Sequence, residues 1–243
     1  VVEGEEEIGS PHLPQFVREN GPMLKADGCL WEAGYKDVDD RPVIRLGMKG
    51  ILYLELRARG ARMDYHSSQA VILPNPAWDL VWALSTLKGR GGEVLITGFY
   101  DDIVPVSDAE KAILAAIPVN EAKLKAQSGV ERFNRDLHGA DIATALATEP
   151  TCNIAGFVSG YTGEGQKTVL PAEATAKVDI RLVPEMDPEK VFRSVRAHLD
   201  ASGFGHVELR IVSAEEAART PVDDPFARLV ASTARDVYGM EPV

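Results

Sequence analysis

Acidic residues are concentrated at the start of the chain, in the segment Glu3-Gly-Glu-Glu-Glu-Ile-Gly-Ser10. Adjacent carboxylates suit hydrolytic chemistry, because one can bind a divalent metal such as zinc while another takes a proton from metal-bound water. Gly4 and Gly9 would let the backbone bend close to such a metal. The alternative is a solvated acidic turn, which is the more common meaning of an acidic triplet on its own.

Three further positions carry side chains of possible chemical use. His66 lies on a loop after a strand, where imidazole can bind metal or, when protonated, stabilise an oxyanion. Arg181 lies on the polar face of a strand, and its guanidinium can either hold a substrate carboxylate or form a surface ion pair with Asp179. Asp27 stands in an Asp-Gly pair, which by itself is typical of an ordinary turn.

The elements that must position these side chains follow from hydrophobic periodicity. Alternating apolar and polar residues predict four strands, at 50–59, 153–159, 172–182 and around 207–211. Two helices, at 76–87 and 188–202, each begin with a capping residue followed by proline, Asn75-Pro76 and Asp187-Pro188. The order β-α-β-β-α-β predicts a ferredoxin-like fold, with one antiparallel sheet and two helices on one face.

This module is expected at residues 46–214, and the rest of the chain lies around or inside it. Residues 90–150 are too many for a plain loop, and their helical periodicity at 108–116 and 119–126 predicts a helical insertion.

The flanks, residues 1–45 and 215–243, do not fit the module, although the second contains a helix capped by Asp224. We expect the two flanks to pack together as pieces of a second domain. The module itself should dimerise, because an open four-stranded sheet has edges that need a partner. Trp78 and Trp82 would either add to that contact or fill the core of the subunit.

Composition excludes several classes of protein. The chain has 243 residues, of which 45% are hydrophobic and 26% charged, as in ordinary globular proteins. A net charge of −11 argues against nucleic acid as a partner, and no apolar run is long enough to predict a membrane span. Two cysteines without a C-x-x-C pattern, and an acidic start unlike a signal peptide, favour the cytoplasm.

The segment from Glu3 to Ser10 resembles the E-G-x-E-E-x-G-S motif of dinuclear zinc metallopeptidases, the M20 peptidase family of carnosinase, cytosolic nonspecific dipeptidase, aminoacylase and glutamate carboxypeptidase. Three further segments resemble the dipeptidase branch in order and spacing: Gly47-Met-Lys-Gly50, Asp64-Tyr-His-Ser67, and Lys167-Thr-Val-Leu-Pro171 leading to Ile180-Arg181. The resemblance covers nearly the whole chain. It implies an α/β zinc-peptidase domain, present in part, that is interrupted by a ferredoxin-like lid or dimerisation domain.

The resemblance also implies roles for single residues. Glu6 resembles the general base that activates water, Glu7 a ligand of one zinc ion and Asp27 a ligand of the other. The family also needs an upstream His-x-Asp segment and a histidine near the C-terminus, and neither occurs in this sequence. We therefore expect a fragment that binds no metal and is inactive alone, within a full-length subunit that binds two zinc ions, with manganese or cobalt as substitutes.

The remaining roles concern the lid. His66 resembles the histidine that reaches into the active site of the partner subunit and steadies the oxyanion, so the resemblance implies a homodimer. Thr168 and Arg181 resemble lid residues that hold the substrate, Arg181 by its C-terminal carboxylate. The implied reaction is hydrolysis of an amide bond in a dipeptide or acyl amino acid. A deacylase of the same family and a ferredoxin-like binding module without catalysis remain the alternatives.

Overall fold

The computed structural model describes residues 4–31, 35–37 and 39–243 of the chain. The helices, in chain order, are α1 Leu13–Glu19, α2 Gly21–Leu24, α3 Pro76–Leu87, α4 Asp108–Ala116, α5 Glu121–Ser128, α6 Ala140–Thr148, α7 Pro188–Ala201 and α8 Pro225–Tyr238. The strands are β1 Gly47–Met48, β2 Gly50–Arg59, β3 Tyr65–His66, β4 Thr151–Ser159, β5 Val169–Leu170, β6 Glu173–Leu182, β7 Glu208–Glu215 and β8 Ala218–Arg219. Short 3₁₀ helices occur at Glu6–Ile8, Ser67–Val71 and Asn134–Asp136.

Four strands form one antiparallel sheet in the spatial order β4-β6-β2-β7. The register between β2 and β6 runs from Gly50 opposite Leu182 to Arg59 opposite Glu173, without interruption. The chain order β2-α3-β4-β6-α7-β7 is the predicted β-α-β-β-α-β. The α+β, ferredoxin-like fold class is thereby confirmed.

The core lies between one face of this sheet and the two helices α3 and α7. Alternate residues of β2 and β6 are buried there, among them Leu52, Leu54, Leu56, Val178 and Ile180. The helices contribute a stripe that is also buried: Leu80, Leu84, Leu87, Val191, Val195 and Leu199. Every second residue of the strands and every third or fourth residue of the helices is buried, as the sequence pattern predicts.

Both core helices begin where the sequence predicts. The Asn75 side chain accepts a hydrogen bond from the N–H of Ala77 at 2.9 Å. The Asp187 carboxylate accepts from the N–H groups of Glu189 at 2.7 Å and Lys190 at 3.1 Å. These caps satisfy N–H groups that have no partner inside the first turn of a helix.

The insertion before β4 contains three helices, one more than the sequence predicts. Ser107 caps α4 through a reciprocal pair of hydrogen bonds with Glu110. The third helix, α6, packs against α4 and buries Ile142 and Ala143. It begins at Gly139, which has no capping side chain. The usual signal for the start of a helix is therefore missing from its sequence.

The flanking segments contact each other and the start of the module. β8 of the second flank pairs with β1 of the module, with Gly47 opposite Arg219. The N–H of Ile44 donates to the carbonyl of Val243 at 2.8 Å, and Gly28 packs so closely against Phe226 that a Cβ atom would lie 2.5 Å from its ring. These contacts agree with flanks that pack together, while their division into domains stays a prediction.

Among the helices of the described residues, none combines the length and the apolar character that crossing a bilayer requires.

Candidate active site

The acidic motif forms a single exposed turn. Its first residue, Glu3, lies outside the described residues. Glu6–Ile8 is a 3₁₀ turn that ends at Gly9, whose φ of 85° is left-handed and whose N–H donates to the carbonyl of Glu6. The backbone therefore bends at Gly9, where the sequence predicts it. The side chains of Glu6 and Glu7 are exposed to solvent, side by side on this turn.

Glu5, which precedes these two residues in the motif, has a different environment. Nδ1 of His12, at the start of α1, lies 2.8 Å from Oε2 of Glu5. This contact ties the acidic turn to the helix that follows. Sequence reasoning did not find the pair, because no pattern indicates contact between an acidic turn and a residue seven positions later.

Asp27 follows α2 on an exposed bend. Its neighbour Gly28 packs on the Phe226 ring, which places Asp27 beside α8. Within the part of the chain that the structure describes, no three His, Cys, Asp or Glu side chains converge on a possible metal position. Glu7 and Asp27 are oxygen donors that suit zinc, but a catalytic zinc ion takes three protein ligands. The described residues therefore fit a part of a zinc ligand set.

His66 and Thr168 lie together on a small two-stranded sheet. β3 pairs with β5, which places His66 opposite Val169, and the N–H of Ser67 donates to the carbonyl of Thr168 at 3.1 Å. Nδ1 of His66 accepts from the N–H of Ser68 at 3.2 Å. The neutral imidazole then carries its proton on Nε2. An N–H donor at this position can stabilise a developing oxyanion.

Arg181 lies near the end of β6, on the sheet face opposite the helices. It stands between Ile51 on β2 and Thr151 on β4. Its Nε lies 3.8 Å from Oδ1 of Asp179, which is a long ion pair at a half-exposed site. Pairs of this kind contribute little to stability. The surface ion pair exists, but it is made through Nε and half of the Arg181 side chain stays exposed.

The structure separates His66 and Thr168 from Arg181. His66 and Thr168 lie beside β5, close to Glu173, where β6 begins. Arg181 lies eight residues further along β6. At a rise of about 3.3 Å per residue, this stretch of strand alone spans about 26 Å. The first flank joins the sheet at Gly50, opposite Leu182, which is the Arg181 end.

A buried ion network occupies the middle of the same face. Glu55 is only 6% exposed, and it accepts hydrogen bonds from Nε of Arg210 at 2.7 Å and from Nζ of Lys177. The hydrogen bond from Arg210, followed by that from Lys177, lowers the pKa of Glu55 to about 2. Sequence alternation places Glu55 on the polar face, but its partners depend on strand order.

An exposed apolar surface lies on α3, on the helical side of the module and away from the polar face of the sheet. Trp78 and Trp82 of α3 are 56% and 52% exposed, and their rings stack with centroids 5.6 Å apart. A cavity of about 280 Å³ opens between the C-terminal part of α3 and the edge strand β4, lined in part by Leu84 and Ile154. Of the two alternatives for the tryptophans, that they fill the core of the subunit is wrong, because the core-facing positions of α3 belong to other residues.

Comparison with known families places residues 46–206 in one family model, described as "Peptidase dimerisation domain". This range is more than half of the chain. It includes the sheet strands β2, β4 and β6 and ends just before β7. It also contains His66, Thr168 and Arg181, but not the acidic turn or Asp27.

Solved and curated proteins extend the similarity over the flanks. The structure of the M20 family metallo-carboxypeptidase Sso-CP2 from Sulfolobus solfataricus is 42% identical with a TM-score of 0.93, covering 99% of this chain and 55% of that one. The Cys-Gly metallodipeptidase DUG1 of Saccharomyces cerevisiae is 29% identical over 99% of this chain and 51% of its own length. The Beta-Ala-His dipeptidase of Rattus norvegicus is 31% identical over 83% and 41%. The chain thus spans about half the length, or less, of the curated relatives it matches.

Proposed function

This chain belongs to the family of M20 peptidase dimerisation domains, and from that premise we propose that it is part of a dizinc metallopeptidase that cleaves dipeptides or similar substrates with a free C-terminal carboxylate. The observation that carries the proposal is the exposed acidic turn, in which Glu6 and Glu7 stand side by side. A module that only dimerises has no need of this turn. The proposal includes two zinc ions per full-length subunit and a cytoplasmic setting.

The acidic residues of the first flank have two different roles, metal binding and proton transfer. Glu7 and Asp27 would each contribute one oxygen ligand to a different zinc ion, and zinc, when bound, supplies Lewis-acid activation of water and of the amide carbonyl. Glu6 takes the proton of the attacking water and returns it to the leaving amine. Its exposure on the turn leaves its carboxylate accessible to both.

The positions of the lid residues favour an active site shared between two subunits. Arg181 lies at the end of the sheet where the flank with Glu6 is attached, and it holds the substrate carboxylate there. His66 lies on the small β3-β5 sheet beyond the opposite end of β6, and the intervening stretch of that strand spans about 26 Å. It therefore acts in the site of the partner subunit, where its Nε2–H stabilises the oxyanion. The carbonyl of Thr168 accepts from the N–H of Ser67, so Thr168 lies beside His66 and would hold the substrate in the same partner site.

The dimer that this arrangement needs would use the face formed by α3 and β4. β4 is an edge strand of the sheet, and exposed edges pair readily with a second copy. The stacked Trp78 and Trp82, together with the exposed Phe157 of β4, supply an apolar contact beside that edge. A two-fold axis at β4 would extend the sheet across both subunits and bury both pairs of tryptophans.

The test compares two neighbouring carboxylates in the full-length protein. Glu6→Gln should abolish dipeptide hydrolysis while metal analysis still finds two zinc ions per subunit. Glu5→Gln is the matched control, since Glu5 is held by His12 and has no proposed role in catalysis. Equal activity in both variants would refute the proposed mechanism. No hydrolysis of any dipeptide by the zinc-loaded wild type would refute the proposed function.

A further inference from the structure

Lys49 lies at the Arg181 end of the sheet and on the same face. It directly precedes β2, in which Ile51 faces away from the core and stands opposite Arg181. Because side chains alternate along an extended chain, residues 49 and 51 share a face. Lys49 and Arg181 are thus two cations on one surface, at the end of the sheet to which the flank with Glu6 is joined.

The ammonium group of Lys49 is held in place by a neutral partner. Nζ donates to the carbonyl oxygen of Glu149, which precedes β4, at 2.6 Å. The side chain therefore reaches across the end of β6. The carboxylate of Glu149 is already paired with Arg135 at 2.5 Å. Among the described residues, no carboxylate oxygen lies within 4 Å of the Lys49 ammonium, so its charge has no direct counterion.

Lys49 is partly buried and lies close enough to Arg181 for the two cations to repel each other. Burial lowers the pKa of Lys49, the nearby Glu149 carboxylate partly offsets this effect, and Arg181 lowers the pKa further. The ion pair of Arg181 with Asp179 is long, at 3.8 Å. A partly buried lysine without an ion pair and a half-exposed arginine, in a chain whose net charge is −11, form a place where an anion would be stabilised.

We infer that Lys49 is, together with Arg181, the second cation of the site that binds the C-terminal carboxylate of the substrate. This inference rests on the carboxylate-binding role proposed for Arg181. The guanidinium can engage both oxygens of a carboxylate in its plane, and an ammonium can donate to a remaining lone pair. Lys49 would thereby strengthen the preference for a free carboxylate over an amide, and its hydrogen bond to residue 149 keeps it in position.

The competing explanation is that Lys49 only ties the start of β2 to the start of β4. Lys88 offers a matched control, because its Nζ also donates to a backbone carbonyl of this strand, that of Cys152, at 2.9 Å. Lys88 follows α3 and has no part in the proposed carboxylate site. Loss of a structural tie should therefore look alike in the two lysine variants, whereas loss of substrate binding should appear only in Lys49→Met.

The kinetic test uses the zinc-loaded, full-length protein with alanylalanine and alanylalanine amide. Lys49→Met should raise KM for alanylalanine about ten-fold, the size expected for a charged hydrogen bond, and change KM for the amide by less than about two-fold. Lys88→Met should change neither. Equal losses on both substrates in Lys49→Met, or no loss on either, would overturn the inference.

A binding test separates this inference from the proposed function. The 243-residue chain, produced with lysine that carries ¹³C at Cε so that the ammonium groups stay unmodified, is titrated with N-acetylalanine and observed by NMR. The Lys49 signal should shift and its pKa should rise as the anion binds, both effects should vanish in Arg181→Ala, and the Lys88 signal should stay unchanged. If the wild-type protein hydrolyses no dipeptide, the proposed function fails while this result still supports an anion site. A Lys49 signal that does not respond to N-acetylalanine would overturn it.

Discussion

The sheet module and the two flanking segments of this chain differ in how they bury their apolar residues. In the module, the inward side chains of β2 and β6 are covered by α3 and α7, and most of them have no exposed surface. In the flanks, α1, α2 and α8, all within the described residues, contain no buried residue. Leu229 and Val237 of α8 are 59% and 73% exposed.

The module thus supplies most of the folding stability, whereas the flanks carry the carboxylates proposed for catalysis. The module has its own core and can fold as a unit, since burial of apolar area is the dominant favourable contribution to folding. The flanks carry Glu6, Glu7 and Asp27 but bury little, so their apolar faces need a further surface to pack against. Mutations in the flanks should therefore lower activity without loss of stability, whereas mutations in the core of the module should lower stability.

The largest effect is expected in the flank, on activity alone. In the full-length protein, Glu6→Ala should lower turnover by a factor of about 10² to 10⁴, because it removes a positioned general base. The midpoint of urea unfolding should not change, since the side chain is exposed on a turn. Steady-state kinetics and denaturation of the same preparation measure both. A variant that loses stability together with turnover would break the comparison.

The next effect is on stability and belongs to the module. Leu54→Ala, at a fully buried position between β6 and β7, should lower the free energy of unfolding by about 2–5 kcal/mol. Leu229→Ala removes a side chain of the same size from α8, where it is mostly exposed, and should cost less than about 1 kcal/mol. Urea denaturation of the 243-residue chain measures both, and similar losses would show that the flank has a core of its own.

Arg181 is a module residue for which an effect on binding rather than stability is expected. Arg181→Ala should raise KM about ten- to a hundred-fold for a dipeptide with a free C-terminal carboxylate, because a charge-assisted pair is lost. The amidated dipeptide should be much less affected. Equal increases for the two substrates would mean that Arg181 serves only in its ion pair with Asp179.

The smallest effect concerns the pH dependence of the module. The folded protein holds the pKa of Glu55 at about 2, below its ordinary value of 4.5, chiefly through hydrogen bonds from Arg210 and Lys177. A carboxyl group with a depressed pKa stabilises the fold above its unfolded pKa, and this contribution is lost as the pH falls through the folded value. The wild type should thus be more stable than Glu55→Gln at pH 7.

Unfolding of both proteins as a function of pH checks this expectation. The stability difference between wild type and Glu55→Gln should be constant above about pH 4.5, decrease as the pH falls below that value, and be small near pH 2. A difference that is independent of pH across this range would show that Glu55 acts through packing and not through its charge.

Sequence periodicity was sufficient for the module because its elements are amphipathic and capped. Strands β2 and β6 alternate strictly, and α3 and α7 begin at Asn75-Pro76 and Asp187-Pro188, so local signals and tertiary packing agree. Helix α6 was missed for the opposite reason, since Gly139 offers no capping side chain.

The candidate site was predictable in its residue types but not in its geometry. The separation of His66 from Arg181 depends on which strands pair and in what register, and these are long-range properties that periodicity does not encode. The same holds for the partners of Glu55. Lys49 was overlooked because a single lysine before a strand carries no signal until the contact with residue 149 is known.

The central claim is that His66 and Glu6 of different subunits complete one active site, and subunit mixing tests it most directly. Full-length His66→Ala and Glu6→Ala should each be nearly inactive alone. After subunit exchange, the mixed dimer contains one site with both groups, so the mixture should recover about a quarter of wild-type activity if the subunits combine at random. No recovery, despite exchange demonstrated by differently labelled subunits, would contradict the claim.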